Sequence, residues 1–208
     1  MSHLTNLIEK HRHINVDYDD WYLPCYESFI EKLDSLGIDT TRSDINFSGF
    51  WSQGDGASFT GYIHRDNMLK FIDEHVLGES FPAATYFATR KELGAKLVRS
   101  GSHYVHENTV QVDINTDYIE AQAWEEDDPR REIYVAMEEA FNKEFSEFEE
   151  KVQTICRGWM QILYRQLEDE YEALTSDECV LDTLKANDMI PTNLITEGEE
   201  DGLCSNQR

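Results

Sequence analysis

Long apolar runs, paired cysteines and an apolar N-terminal segment are all missing from this sequence. No stretch approaches 18 consecutive apolar residues, so we expect no transmembrane helix. The four cysteines form no CxxC pair and have no regular spacing, and the first ten residues lack the apolar core of a signal peptide. These absences predict a cytoplasmic protein with free thiols.

Basic side chains are also scarce. Lysine and arginine total 18 against 42 aspartates and glutamates, which gives a formal net charge of -24. The excess is uneven, because residues 1–116 carry 17 acidic and 10 basic side chains whereas residues 117–208 carry 25 and 8. An anionic field repels nucleic-acid phosphates and anionic membranes and attracts basic grooves. We therefore expect no direct contact with nucleic acid or membrane, and a partner protein with a basic nucleic-acid-binding groove.

The chain is nevertheless apolar enough to fold, because 40% of its residues are hydrophobic. Its length predicts one α+β domain over residues 1–190. Within this domain, residues 18–119 are predicted to form a core of helices and hairpins, and residues 131–187 a long acidic helix and a short last helix. Residues 191–208 are polar and predict a flexible tail.

Two β-rich segments predict the sheet. Residues 44–63 form two arms around a Gly-rich turn, and residues 97–119 supply the arms SHYVH and TVQVDI. Two hairpins predict a four-stranded antiparallel sheet with one face on helices and one face free. Further helices are predicted over residues 18–36, 64–77 and 82–95, from apolar residues at helical spacing and from glycine or proline at the ends.

The longest periodic segment, from about residue 131 to 174, predicts one amphipathic helix roughly 60 to 65 Å long. Its apolar residues repeat every seven positions, and again four residues later, and would form one seam: Phe141, Phe145, Phe148, Val152, Ile155, Trp159 and Ile162. The opposite face is acidic. It is either a solvated surface or a row of carboxylates spaced like duplex phosphates. Thr175 and Glu178 have capping-box spacing and predict the start of the last helix.

The turn of the first hairpin is one candidate site. Its Gly-Asp-Gly centre offers backbone N–H groups or a carboxylate to a ligand, and the candidate residues are Ser52, Gln53, Asp55 and Ser58. A phosphate loop is excluded because the GKS or GKT ending is absent and the carboxylate would repel phosphate. The alternative is an ordinary hairpin turn whose glycines supply positive φ.

The second hairpin adds His103, Tyr104 and His106 as candidate ligand residues. On a strand, residues three apart point to opposite faces, so the two histidines are not expected to share a metal ion. No cysteine has a flanking nucleophile motif, and no GxSxG elbow occurs. We therefore assign no metal, cofactor or catalytic residue, and favour a binding protein over an enzyme.

Two motifs carry a family resemblance. The segment FSGFWSQGDGASF, from Phe47 to Phe59, and the segment SGSHYVH, from Ser100 to His106, resemble uncharacterised acidic proteins of tailed phages and prophages. Some of those proteins are loosely described as antitoxin-like. The resemblance covers residues 44–114 and implies a phage setting, but no activity or catalytic residue. The acidic C-terminal half lies outside it.

The sequence supports three functional hypotheses. The first is a phage-encoded acidic inhibitor that acts in the host cytoplasm on a nucleic-acid-processing or defence protein by DNA mimicry. Its partner-binding residues would be Glu125, Glu126, Asp127, Asp128, Glu138, Glu139, Glu147 and Glu150. The second is a small enzyme or ligand-binding protein that uses the hairpin residues. The third is an antitoxin-like interaction protein that forms a homodimer through the apolar seam.

Overall fold

The computed structural model of the chain describes residues 3–18, 20–101, 104–116, 119, 127 and 129–191. The chain divides into two compact units. Cys25–Gln166 forms the larger unit, and the described residues of Met1–Pro24 and Leu167–Arg208 form the smaller one.

Six helices make up most of the described structure. They are α1 (His3–Lys10), α2 (Leu23–Ser35), α3 (Arg65–His75), α4 (Pro82–Thr89), α5 (Arg131–Leu174) and α6 (Asp177–Ala186). The predicted helices over 18–36, 64–77 and 82–95 are confirmed with shorter bounds, and the helix over 131–174 is confirmed with the predicted bounds, whereas α1 was not predicted. No helix among the described residues combines the length and apolar character that a membrane span requires.

Six strands of the described residues form two antiparallel sheets. The strands are β1 (Ile38–Asp39), β2 (Ile45–Phe47), β3 (Ala57–Phe59), β4 (Gly61–Ile63), β5 (Gly94–Arg99) and β6 (Val110–Asn115). The larger sheet has the order β1-β4-β5-β6, and β2 pairs with β3 in a separate two-stranded sheet. The predicted α+β class, with a four-stranded antiparallel sheet and a long C-terminal helix, is confirmed.

The strands of the larger sheet differ in part from the prediction. The first predicted hairpin gives the separate β2–β3 pair, and only its last three residues, β4, join the larger sheet. The chain changes sheets at Thr60, whose N–H donates to Asp44 O at 3.0 Å and whose carbonyl accepts a 2.7 Å hydrogen bond from the Thr40 hydroxyl. These two hydrogen bonds of Thr60 mark the break between β3 and β4.

The second hairpin begins earlier than predicted. Its first strand is β5, from Gly94, whereas residues 104–106 of the predicted arm SHYVH lie outside any strand. The predicted helix over 82–95 therefore ends at Thr89. Lys91 then adopts a left-handed conformation with φ of 60°, and the N–H of Glu92 donates to Phe87 O at 2.9 Å. This helix-ending turn redirects the chain into β5.

One face of the four-stranded sheet is buried in the larger unit. Residues alternate strictly between buried and exposed along β4 and β6, as a half-buried strand requires. The inward side chains join a core rich in aromatic rings, of which the largest fully buried members are Phe29, Phe59, Phe71, Phe87, Tyr134, Phe141 and Phe148. Burying such a side chain contributes about 1.5 to 3 kcal/mol. The outward face stays accessible, as predicted.

Helix α5 protects the open edge of this sheet. Gln153 Oε1 accepts a hydrogen bond from Val112 N at 3.2 Å, and Arg157 Nη2 donates to Val110 O at 2.8 Å. Both partners lie on β6, the last strand of the sheet. An uncovered edge strand presents unpaired backbone groups that another chain can pair with. Side chains of α5 occupy part of that edge.

The buried stripe of α5 departs from the predicted heptad seam. Phe141, Phe148 and Val152 are buried, but Ile162 is 38% exposed and Ile155 only half-buried. Beyond Val152 the buried positions are Cys156, Met160, Leu163 and Leu167. A straight helix has 3.6 residues per turn, so a repeat of seven residues drifts around its surface by about 20° per heptad. The buried apolar stripe therefore follows the period of 3.6 residues per turn and not the predicted repeat of seven residues.

In the smaller unit, α1 packs on α6. Ile8, Val180 and Leu184 are its buried core, and further apolar residues of both helices surround them. The N-terminus of α6 is capped by Ser176, whose Oγ accepts from Cys179 N at 3.2 Å. The predicted cap at Thr175 is therefore wrong by one residue.

Candidate functional site

The Gly-rich turn between β2 and β3 is closed by its own aspartate. Asp55 Oδ2 accepts a 2.8 Å hydrogen bond from Ser52 N, and Asp55 N donates to Ser52 O at 3.1 Å. Gly49 and Gly54 adopt φ of 110° and 90°, which favour glycine strongly. The carboxylate that the sequence offers to a ligand therefore also fixes the shape of this turn.

The turn lies directly against the segment 104–106. A Cβ built on Gly54 would stand 2.5 Å from Tyr104 Cδ1, and one built on Gly56 would stand 2.4 Å from His106 Cβ. Real Cβ atoms do not approach so closely, so only glycine allows this contact without displacement. The two sequence motifs therefore share one surface, which we call the hairpin surface: residues 49–56 and 104–106.

His106 is oriented by the short turn that follows it. Its Nδ1 accepts a 3.2 Å hydrogen bond from Asn108 N, so the neutral ring carries its proton on Nε2. The Tyr104 ring lies beside it, with 6.2 Å between ring centroids. Gln161 of α5 supports the same turn by donating to Glu107 Oε1 at 3.2 Å. His103 lies outside the described residues.

Phe50 of the hairpin surface lies in an aromatic cluster that reaches α5. The Phe50 ring lies 5.9 Å from Phe47, 5.6 Å from Trp51 and 5.5 Å from Tyr164 of α5, measured between centroids. Trp51 nevertheless keeps 66% of its surface exposed and adopts a left-handed φ of 65°, which is rare for a bulky residue. Tyr104 is 52% exposed. Two large rings are thus presented to solvent by a tightly bonded loop.

The structure brings most of the predicted hairpin residues together. Ser52, Gln53 and Asp55 lie on the turn that contacts Tyr104 and His106. Ser58 is separate from them, because it lies in β3 and is only 1% exposed. Trp51 also belongs to this surface and was not predicted from the sequence. Its position beside a Gly-rich turn was a signal that Trp51 would be exposed, because an aromatic residue at a turn cannot easily reach the core.

The acidic face of α5 is narrower than predicted. Glu139, Glu147 and Glu150 are exposed, and 3.6 residues per turn place them within a sector of about 80°. Glu138 points about 100° away from Glu139 and is half-buried. Lys143 lies inside the sector, so the face is not purely anionic. Within the described part of the chain, no cation is in salt-bridge distance of these three exposed carboxylates.

The acidic segment before α5 is described only in part. Asp127 is exposed, and Glu125, Glu126 and Asp128 lie outside the described residues. For these four predicted partner-binding residues, the described structure therefore gives only the exposure of Asp127, and the acidic face is described from α5 alone.

The buried cysteine Cys156 is unsuited to act as a nucleophile. Cys156 is 1% exposed, and burial raises the pKa of its thiol to about 12, so it stays protonated and unreactive near neutral pH. Among the residues that the structure describes, no group of three histidine, cysteine, aspartate or glutamate side chains could hold a metal ion.

Comparison with known families gives one match. A family model described as a domain of unknown function, DUF8835, matches residues 21–177. Neither the curated proteins nor the solved structures contain a match to the chain. The matched range includes both hairpin motifs and the whole of α5, so it extends beyond the two motifs that carry the phage resemblance. Because the match covers more than half of the sequence, the chain belongs to the DUF8835 family.

Proposed function

We propose that this protein is a phage-encoded inhibitor that binds a host nucleic-acid-processing or defence protein by occupying its basic groove. The observation that carries the proposal is the exposed carboxylate sector of α5, formed by Glu139, Glu147 and Glu150. The phage setting rests on the resemblance of the two hairpin motifs.

The geometry of this sector suits a groove that binds DNA. Glu139 and Glu150 are separated by about 16 Å along the helix axis, which corresponds to about five steps of a DNA strand. The helix backbone is rigid over this length because Phe141 and Phe148, which lie between Glu139 and Glu150 in sequence, anchor the opposite face of α5 in the core. A preformed row of charges loses little conformational entropy on binding. Unpaired carboxylates also lose no internal ion pair when a cationic partner approaches.

A charge-reversal triple variant tests the proposal. E139K/E147K/E150K changes only exposed side chains, and lysine is a good helix former, so α5 should persist. The matched control is E31K/D34K/D73K, which makes the same total change in charge at exposed positions of α2 and α3. Both variants and the natural chain would be tagged and used to capture proteins from bacterial lysate at low and high salt.

The proposal predicts a captured nuclease, helicase, polymerase or restriction complex that salt elutes and that duplex DNA displaces. Affinity of the purified pair should fall by at least about tenfold in E139K/E147K/E150K, because each reversal replaces attraction by repulsion. The control variant should lose much less. Equal binding by both variants would refute the role of the sector, and a captured protein that DNA does not displace would refute mimicry.

A second candidate function is ligand binding at the hairpin surface. It is favoured by one observation, the packing of Gly54 against Tyr104 and of Gly56 against His106, which gathers polar and aromatic groups in one place. Small ligands bind where a few polar groups and aromatic rings converge on a rigid frame. A panel of nucleotides and divalent metals, followed by 1H–15N NMR, should shift the amides of Gly54 and Gly56. An unperturbed pair of glycine amides across the panel would argue against this candidate.

The antitoxin-like homodimer would use an apolar seam that the fold of the described residues already buries in part. Its seam residues Phe141, Phe148 and Val152 are already covered by this chain's own side chains. A dimer through these three residues would require this part of α5 to leave the core, with the loss of the burial free energy of three apolar side chains.

A further inference from the structure

The outward face of the four-stranded sheet carries an ordered row of polar and aromatic side chains. Asp39 pairs with Tyr62, Tyr62 with Lys96 and Lys96 with Asp113, so one residue from each strand stands in a single line across the sheet. Adjacent strands are about 4.8 Å apart, which makes the row about 14 Å long. All four side chains are exposed.

Aromatic rings and a cation meet at the centre of this row. The Lys96 ammonium lies 5.6 Å from the centroid of the Tyr62 ring, which is 46% exposed. The His64 ring is nearly parallel to Tyr62, with an angle of 19° and 6.0 Å between centroids. His64 is held in place by Asp39, whose Oδ2 lies 3.2 Å from His64 Nε2. Among the described residues, no carboxylate lies within salt-bridge distance of Lys96.

A groove of about 660 Å³ adjoins this centre on the side of His64. Its wall is formed by Tyr62, His64, Arg65, Lys96, Asp113 and Asn115, among others. Gly94 lies opposite Asn115 in the groove. A Cβ built on Gly94 would stand 3.2 Å from Ile63 O and 3.4 Å from Arg65 Cγ. The volume falls in the range that encloses a small-molecule ligand. A second groove of about 480 Å³ shares Tyr62 and Lys96 from the other side.

The larger groove is a more favourable place for a small anion than the acidic remainder of the chain, because its wall carries cations as well as carboxylates. Among the described residues of its wall, the cations are Lys96 and Arg65 and the carboxylates are Asp66 and Asp113. Asp66 is paired with Lys91 at 2.6 Å, and this ion pair lowers the pKa of its carboxyl group. These wall residues therefore carry no net charge, in a protein whose formal charge is -24, so an anionic ligand meets less repulsion from them.

We propose that this groove binds a nucleoside phosphate, with its base packed on the Tyr62 and His64 rings and its phosphate beside Lys96. Stacking on aromatic side chains is the usual way in which proteins hold a base, and ammonium groups bind phosphate as point charges. Asp113 lies on the same wall and provides a carboxylate for the polar edge of a base or for ribose hydroxyls. A free nucleotide is favoured over a nucleic-acid strand because the field of the whole chain repels a polyanion much more than a single phosphate. The site is separate from the acidic sector of α5 and does not depend on its role.

Calorimetric titration of the full chain with AMP and UMP tests this site. Binding is expected, and Tyr62→Leu and Lys96→Gln should each weaken it about tenfold, since each removes one of the two main contacts. The controls are Tyr18→Leu and Lys32→Gln, which remove an exposed ring and an exposed ammonium elsewhere and should leave the affinity unchanged. Adenosine and inorganic phosphate should each bind at least about tenfold more weakly than AMP, because each meets only part of the groove.

The proposal is overturned if neither nucleotide binds, or if Tyr62→Leu and Lys96→Gln bind as tightly as the natural chain. Inorganic phosphate binding as tightly as AMP would reduce the site to an anion contact and overturn the nucleotide assignment. A single-stranded decanucleotide that binds more tightly than AMP would show that the occupant is nucleic acid, which also overturns it. Amide shifts on AMP binding are expected at Gly94 and Ala95, which line the groove, and shifts at Gly54 and Gly56 would place the ligand at the hairpin surface instead.

Discussion

Replacing Gly56 by alanine should disrupt the contact on which the hairpin surface depends. The new Cβ would stand 2.4 Å from His106 Cβ and 2.8 Å from His106 Cα. The second of these is a backbone atom, so no change of rotamer can relieve the overlap and one of the two segments must move. Overpacking of this kind costs about 1 to 3 kcal/mol in the free energy of unfolding.

Gly158→Ala is the matched control for that substitution. It adds the same methyl group within α5, where a Cβ meets nothing within 4 Å. Alanine is favoured over glycine in a helix interior, so this variant should be more stable than the natural chain by about 1 kcal/mol. The same chemical change is thus expected to act with opposite sign at the two positions, and the two variants should differ by about 2 to 4 kcal/mol.

Urea titration followed by far-UV circular dichroism measures both effects. The Gly56→Ala midpoint should shift to lower urea and the Gly158→Ala midpoint to higher urea, with the slope unchanged in each case. The 1H–15N spectrum of Gly56→Ala should also show shifts confined to residues 49–56 and 104–108. A Gly56→Ala variant within about 0.5 kcal/mol of the natural chain would refute the close packing of the two motifs.

Three other features of the larger unit give further predictions. Glu144 Oε1 accepts a 2.8 Å hydrogen bond from Ala84 N at the start of α4, so Glu144→Ala should cost about 1 kcal/mol in urea unfolding, whereas the exposed Glu147→Ala should cost less than about 0.5 kcal/mol. Burial lowers the pKa of His75 below its ordinary 6.5, so its neutral form stabilises the fold above pH 6.5 and that contribution is lost as the pH falls below this value. Unfolding midpoints at pH 7.5 and 5.5 should therefore differ less in His75→Leu than in the natural chain, and an equal difference would contradict this. Cys156, whose thiol pKa is about 12, should remain unlabelled by iodoacetamide at pH 8 until urea is added, and rapid labelling of the folded chain would exclude its burial.

Local sequence signals were sufficient where an element is stabilised mainly by its own residues. The bounds of α5 agree with the expected segment from about 131 to 174, because apolar residues recur at helical spacing throughout it. The alternation along β6 likewise gave the buried face of that strand correctly. By contrast, α1 has only eight residues, and a helix of that length is marginal in water without a partner. Its partner, α6, lies more than 160 residues away in sequence, at Asp177–Ala186.

In the candidate sites, too, local features were predictable from the sequence, whereas contacts between distant segments were not. The sequence alone determined that Gly54, Asp55 and Gly56 form a turn and that α5 has an acidic face, because glycine conformational freedom and helical periodicity are local properties. Only the tertiary structure decided that this turn packs on Tyr104 and His106, and that Asp39, Tyr62, Lys96 and Asp113 form one row. Those arrangements depend on which strands pair and in which register, and pairing is decided by the burial of one face of the whole sheet. That burial is a property of all four strands and the helices beneath them, and no single segment contains it.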